Sequence, residues 1–295
     1  MEQIFFIICL LFVGYFLKFL EFPKNFAQSL NLFVIYVSLP ATVLLQVPKI
    51  HFENSFLLPA LIPYLVLLLS VIAVKIFFQN ESQNTKAALY LLLPLGNTSF
   101  FGFPMLGALV GEESLKYGII YDLFGSFTIL TIYGAFVIAY FSGDLIDIKS
   151  FAKKIVFFPP FLALFVSLLF GEMPQISVPF VEILSQTLVP LAIISVGFTL
   201  QLKLADDRIV FYKALFLKLL VLPSIVFAFL HSLDFENIIV LTTLLESAMP
   251  PMITAGALAI NAGFAPRLSA ALVGYGIMVA MITLPIYQYL FLHIA

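Results

Sequence analysis

Long uncharged apolar runs alternate with short polar links along the whole chain. The runs Asn25–Pro48, Asn54–Val74, Ala87–Gly111, Leu123–Gly143, Ile155–Gly171, Ile183–Leu202 and Leu268–Leu292 contain no Asp, Glu, Lys or Arg. Three more, Ile4–Phe19, Ile209–Leu230 and Ile238–Ala265, are apolar but carry a charge. A helix that spans a bilayer needs about 20 mostly apolar residues. The pattern therefore predicts an all-α integral membrane protein of ten transmembrane helices with no soluble domain. A β-barrel would need alternating rather than continuous apolarity.

Composition sharpens this reading. Of 295 residues, 62% are hydrophobic and 10% charged, the net charge is −2, and 34 are phenylalanine. About a quarter of a soluble domain is charged. No basic stripe exists to meet a nucleic acid. Cys9 is the single cysteine, and His51, His231 and His293 lie far apart, so neither a disulfide framework nor a structural zinc site is expected. The first run opens on Glu2 without a basic stretch before it, so it is expected to be retained as a span. Lys and Arg fix an expected orientation. Links after odd-numbered helices hold eleven basic residues: Lys18, Lys24, Lys75, Lys86, Lys149, Lys153, Lys154, Lys203, Arg208, Lys213 and Arg267. The opposite links hold Lys49 and Lys116, and Lys218 is left inside helix 8. Both termini are thus expected outside the cytoplasm, in a multi-pass protein of the plasma (bacterial inner) membrane.

The two halves of the chain echo each other. A shift of about 150 residues lays SLPATVLLQ (38–46) on LVPLAIISV (188–196), Pro40 on Pro190, and GALVG (107–111) on GALAI (256–260). At 149, Asn97 meets Glu246. Residues 1–145 and 151–295 then each hold five helices, and an odd number makes the second repeat inverted. Such repeats with interrupted helices at matching places are a mark of secondary transporters. Helix 4 contains Pro94, Gly96, Gly102 and Pro104, and helix 9 the adjacent Pro250 and Pro251. Breaks are expected at Gly102, Pro104, Pro250 and Pro251, because proline removes a backbone donor and clashes with the preceding turn. Broken backbone at membrane depth survives only against protein or a wet cavity. Helices 4 and 9 should therefore cross at a central site.

The stretch GNTSFFGFPMLGALVGEE (96–113) resembles the fourth-helix signature of the auxin efflux carrier family, and NLFVIYVSLPATVL (31–44) its second helix. The ten helices and crossed breaks are also similar to the bile acid sodium symporter fold. The long cytoplasmic loop of plant members is missing, as in compact prokaryotic members. The resemblance implies organic-anion carriage, not auxin, places a substrate-contacting asparagine at Asn97, and makes a homodimer plausible. It also implies that helices 1, 2, 6 and 7 form a panel and helices 3–5 and 8–10 a crossover transport domain. An acid at Glu246, where plant members have asparagine, looks more like the bile acid symporters, whose crossover glutamate joins a sodium site.

Several residues are candidates for transport. Asn97 can donate to a carboxylate or coordinate a cation; Thr98 and Ser99 extend its polar patch. Glu246 could hold sodium or carry a proton, since a mid-bilayer carboxylate costs about 2–3 kcal/mol on insertion scales and usually has a task. Asp122 and Ser126 share a helical face and, with Asn97 and Glu246, offer the oxygen ligands a hard cation prefers. The helices after the breaks are expected to start near Phe103 and Met252, turning positive dipole ends toward an anion beside Pro104 and Met252. Lys218 is expected to snorkel to the interface. Pro40 and Pro190 are expected to be hinges. The expected function is secondary transport of mono- or dicarboxylates such as malate or malonate, coupled to Na+ or H+, without other cofactor. A Na+/H+ antiporter and a transporter-like receptor are the alternatives. An intramembrane aspartyl protease would need a GxGD partner for Tyr121–Asp122, and helices 6 to 10 contain none.

Overall fold

The computed structural model describes residues 2–23, 25–49, 56–143, 157–202, 205–233 and 235–294. The helices are α1 (Glu2–Leu17), α2 (Phe26–Lys49), α3 (Leu57–Phe77), α4 (Gln83–Leu92), α5 (Thr98–Leu109), α6 (Glu112–Ser142), α7 (Pro159–Phe170), α8 (Val178–Thr199), α9 (Arg208–His231), α10 (Asn237–Ser247), α11 (Ile253–Asn261) and α12 (Pro266–Ile294). No strand occurs among the described residues. Six helices (α2, α3, α6, α8, α9 and α12) are long and apolar enough to cross a membrane, and α1, α5, α7 and α10 are shorter apolar helices. The repeat boundary at 145–151, the link from Asp144 to Lys154, and Lys24, Lys203 and His51 lie outside the described residues.

The contacts divide the chain into two units: Met1–Glu53, Ser99–Ile119 and Lys149–Leu200 form the first, and Asn54–Thr98, Ile120–Ile148 and Gln201–Ala295 the second. In the first, α1 lies along the Leu188–Thr199 half of α8, while α7 and the other half of α8 pack on Leu39–Gln46 of α2. The α1–α8 seam is closed by glycine. A Cβ on Gly14 would stand 2.1 Å from the Ile194 carbonyl oxygen, and one on Gly197 2.2 Å from that of Leu11. Ser195 donates to Asn31 Oδ1 at 2.6 Å, and Thr42 and Ser185 share a hydroxyl contact of 2.9 Å. These are the small-residue and hydroxyl contacts that hold helices together where burial of apolar area no longer discriminates.

In the second unit, α4 and α11 lie in an aliphatic core with Ala271 and Leu272 of α12, and α3 packs on the Tyr121–Phe127 stretch of α6. Ser82 caps α4 by accepting the Thr85 N–H, and Asp207 caps α9 by accepting those of Ile209 and Val210. Inside α9, Lys213 donates to the Phe77 carbonyl at the end of α3 and rests 5.0 Å above the Phe78 ring. That pairing accommodates one of the charges this largely apolar helix carries.

Helix α6 differs from expectation. The uncharged run begins at Leu123, yet the helix starts at Glu112. Lys116 does not end it, because its ammonium folds over the Tyr117 ring at 5.0 Å. The helix also contains π-helical turns at Tyr121–Phe127 and Leu130–Gly134. Further π turns occur at Val34–Ser38, Thr98–Gly102 and Leu217–Val221. Each replaces the usual register with a wider turn, a local irregularity that tends to mark functional positions.

Candidate functional site

The site is built in the second unit, where two helices stop and their chains cross. Helix α4 ends at Leu92 and α5 begins at Thr98; α10 ends at Ser247 and α11 begins at Ile253. Across the gap the Asn97 N–H donates to the Pro250 carbonyl at 2.8 Å and the Met252 N–H to the Leu95 carbonyl at 2.9 Å, with Gly96 opposite Pro251. Each broken segment thus supplies acceptors for the other, which is how irregular backbone is tolerated at membrane depth. Glycine makes the approach possible. A Cβ on Gly96 would meet Met249 Cβ at 3.3 Å, and one on Gly276 of α12 would lie 2.8 Å from Pro251 Cδ.

This geometry corrects two expectations. The first interruption spans 93–97, not Gly102 and Pro104. Gly102 belongs to a π turn, and Pro104 is the second residue of the regular stretch that follows, where its missing N–H disturbs little. The half-helix therefore begins at Thr98 rather than near Phe103, whereas the second begins where expected, after Met252. Pro250 and Pro251 do lie in the second interruption. The register is also different. The helix ends and the crossing bonds all correspond at a spacing of 155 residues, so Asn97 matches Met252 and Glu246 matches Leu91. The 149-residue match of Asn97 to Glu246 is a sequence alignment that the crossing does not follow.

The polar candidates of this unit are buried together around the crossing. Asn97 and Glu246 are each 1% exposed and Asp122 3%. Thr98 donates its hydroxyl to Asp122 Oδ1 at 2.5 Å, tying the start of α5 to the π turn of α6 that also carries the buried Ser126. The Glu246 carbonyl oxygen would lie 3.6 Å from a Cβ on Gly96, one residue from Asn97. Asp122 is held by the hydroxyl bond from Thr98, the residue after Asn97, and so lies beside the crossing. Neither carboxylate oxygen of Glu246, nor Asn97 Nδ2, has a hydrogen-bond partner among the described residues. A buried carboxyl and an amide nitrogen left in this state are costly unless something neutralises or bridges them. No group of three or more His, Cys, Asp or Glu placed to hold a metal ion occurs among the described residues.

Lys218 corrects another expectation. Helix α9 begins at Arg208, placing Lys218 ten residues deep in a π turn, and it is 1% exposed rather than snorkelling. It forms no ion pair with Glu246; the one ion pair among the described residues joins Arg267 to Asp206. The sequence signal for Lys218 was its presence in an apolar run, which depth alone could not resolve.

The remaining candidates belong to the first unit. Ser99 follows Thr98 in the π turn, and Pro104 is buried in α5. Pro40 follows the Val34–Ser38 turn, and Pro190 follows an irregular residue, Thr187. Ser38 and Thr187, two and three residues before those prolines, share a hydroxyl contact of 2.6 Å.

Thr98→Val is expected to cost about 1.5–3 kcal/mol, the range for a hydrogen bond to a charged group. It would appear as a lowered thermal unfolding midpoint in detergent, with Thr98→Ser close to wild type. An unchanged midpoint in the valine variant would show that Asp122 does not depend on this bond.

Comparison with known proteins agrees with a membrane carrier. A family model described as membrane transport protein matches residues 1–288. An uncharacterized transporter of Methanocaldococcus jannaschii is 29% identical over 266 residues, covering 85% of each chain. Another, from Methanothermobacter thermautotrophicus, is 25% identical over 301 residues, covering 97% of each. The chain belongs to the membrane transport protein family, the auxin efflux carrier family that its fourth-helix motif resembles.

Proposed function

We propose that the protein is a secondary transporter of small organic anions, mono- or dicarboxylates of the size of malonate or malate, coupled to Na+ or H+. The observation that carries this reading is the crossing. Asn97, Asp122 and Glu246 are all buried in the unit that holds it, and the Glu246 oxygens and the Asn97 amide nitrogen have no partner among the described residues. A cation or proton shared by Asp122 and Glu246 would neutralise buried charge, and oxygen ligands suit sodium. Asn97 Nδ2 would donate to the substrate carboxylate. The starts of α5 and α11 at the crossing favour an anion by a fraction of a kcal/mol to about 2 kcal/mol each.

The architecture proposed with this function counts α4–α5 and α10–α11 as single interrupted spans. That gives ten spans in two inverted sets of five, with both termini outside. The division into a unit holding α1, α2, α7 and α8 and a unit holding α3, α4, most of α6 and α9–α12 supports a panel and a transport domain, although Ser99–Ile119, with most of α5, groups with the first. Pro40 and Pro190, each just after an irregular turn, would serve as hinges.

The test is uptake of labelled malonate and malate by proteoliposomes under an inward sodium gradient, an inward proton gradient, or neither. Stimulation by one gradient identifies the coupling ion. Absence of uptake of either acid overturns the substrate class. The Asp122–Glu246 pair would equally serve a Na+/H+ antiporter, and sodium-driven pH change without anion uptake would establish that second reading.

A further inference from the structure

A cavity in the same unit has no residue of the crossing in its lining. About 400 Å³ in volume, it is bounded by the end of α3, the start of α4 and the last turns of α6. Its rim carries Lys75 from the last turn of α3 and Gln83 and Lys86 from the first turns of α4. Its walls are aromatic: Tyr90 of α4, and Tyr133, Phe136 and Tyr140 of α6. Among the described residues, no acid lines it. Lys86 Nζ reaches only the Gln79 carbonyl, at 3.5 Å, and neither lysine has an ion pair among the described residues. The cavity therefore presents two positive charges, an amide and tyrosine hydroxyls that no acid among the described residues meets.

Its position selects the ligand. Lys75 and Lys86 sit at the ends of apolar helices, the level at which lysine and tyrosine meet lipid head groups. Phe136 and Tyr140 stack with centroids 6.0 Å apart and are 51% and 71% exposed, so the aromatic wall continues onto the outer face of α6. A free anion would use the rim and leave that wall idle; a diacyl lipid would use both. We infer that this cavity, lined by Lys75, Lys86, Gln83, Tyr90, Tyr133 and Tyr140, binds the phosphodiester head group of an anionic phospholipid, with an acyl chain lying over Phe136 and Tyr140. Basic pockets between membrane helices recognise such head groups by charge and hydrogen bonding.

Native mass spectrometry of the detergent-purified protein, titrated with phosphatidylglycerol, phosphatidylcholine or glycerol 3-phosphate, tests the assignment. One phosphatidylglycerol should be retained at concentrations where the other two are not. Each lysine is expected to contribute on the order of five-fold in affinity. Lys75→Gln with Lys86→Gln should therefore lose most of the binding, while Lys75→Arg with Lys86→Arg retains it. Equal binding of phosphatidylcholine, equal binding of glycerol 3-phosphate, or unchanged retention by the glutamine pair overturns the inference. A photoactivatable phosphatidylglycerol on the wild-type protein gives a reading free of variants. Labelling within Tyr133–Phe141 is expected, and labelling confined elsewhere refutes the site.

Discussion

Glu246→Gln is expected to abolish gradient-driven uptake, with a loss of at least the ten- to hundredfold that removal of even an outer-shell ligand costs an ion site. Glutamine keeps the shape of the side chain, so the end of α10 and the crossing beside it should be retained. Only the charge and the second carboxylate oxygen are removed. The fold should not suffer, since the change removes the charge of a buried carboxyl, and the thermal midpoint is expected to hold or rise. Uptake lost together with stability would instead mark Glu246 as a structural residue. Asp122→Asn separates the roles further. If the two carboxyls share one cation, each single variant should lose nearly as much as the pair, because groups acting as a unit are not additive.

The largest effect on stability is expected at the glycine seam of the first unit. Gly14→Ala would drive a methyl group into the Ile194 carbonyl, and Gly197→Ala into that of Leu11 and toward the Tyr15 N–H at 3.0 Å. The obstacle in each case is backbone, which cannot swing aside as a side chain does. Overpacking of this kind costs about 1–3 kcal/mol and more where main chain must shift. At the upper value the midpoint should fall by roughly 6–12 °C. Gly107→Ala is the control, since nothing lies within 4 Å of a Cβ there. Fluorescence-detected unfolding in detergent compares the three. A Gly14→Ala midpoint equal to that of Gly107→Ala would refute close packing of α1 on α8.

Hydropathy made the helical segments legible because every span must exclude charge or manage it. Pro250–Pro251 made the second interruption legible because two missing donors cannot be hidden in a helix. The first interruption was misplaced for a related reason. Pro94 and Gly96 lie in it, but Gly102 and Pro104 carry the same letters and sit in continuous helix. A proline's effect depends on whether its turn needs the lost donor, which composition does not encode. The π turns at Thr98, Asp122 and Lys218 left no trace in the apolar pattern, since widening a turn alters register and not hydrophobicity. The glycine seam was equally silent, because Gly14 and Gly197 are conspicuous only once their helices touch. The crossing register was obscured by the stronger letter match of GALVG to GALAI, which bends the alignment six residues away from the structural correspondence.

The paired backbone bonds of the crossing also set an order of events during synthesis. The acceptors for Asn97 and the donor for Leu95 come from Pro250 and Met252, more than 150 residues downstream. Until that later segment emerges, the first interruption is a run of bare peptide groups that lipid cannot solvate. The nascent chain must therefore hold this stretch in water, or within the insertion machinery, while most of the protein is still being made. Completion of the first interruption is thus a late step of assembly, triggered by the arrival of the second.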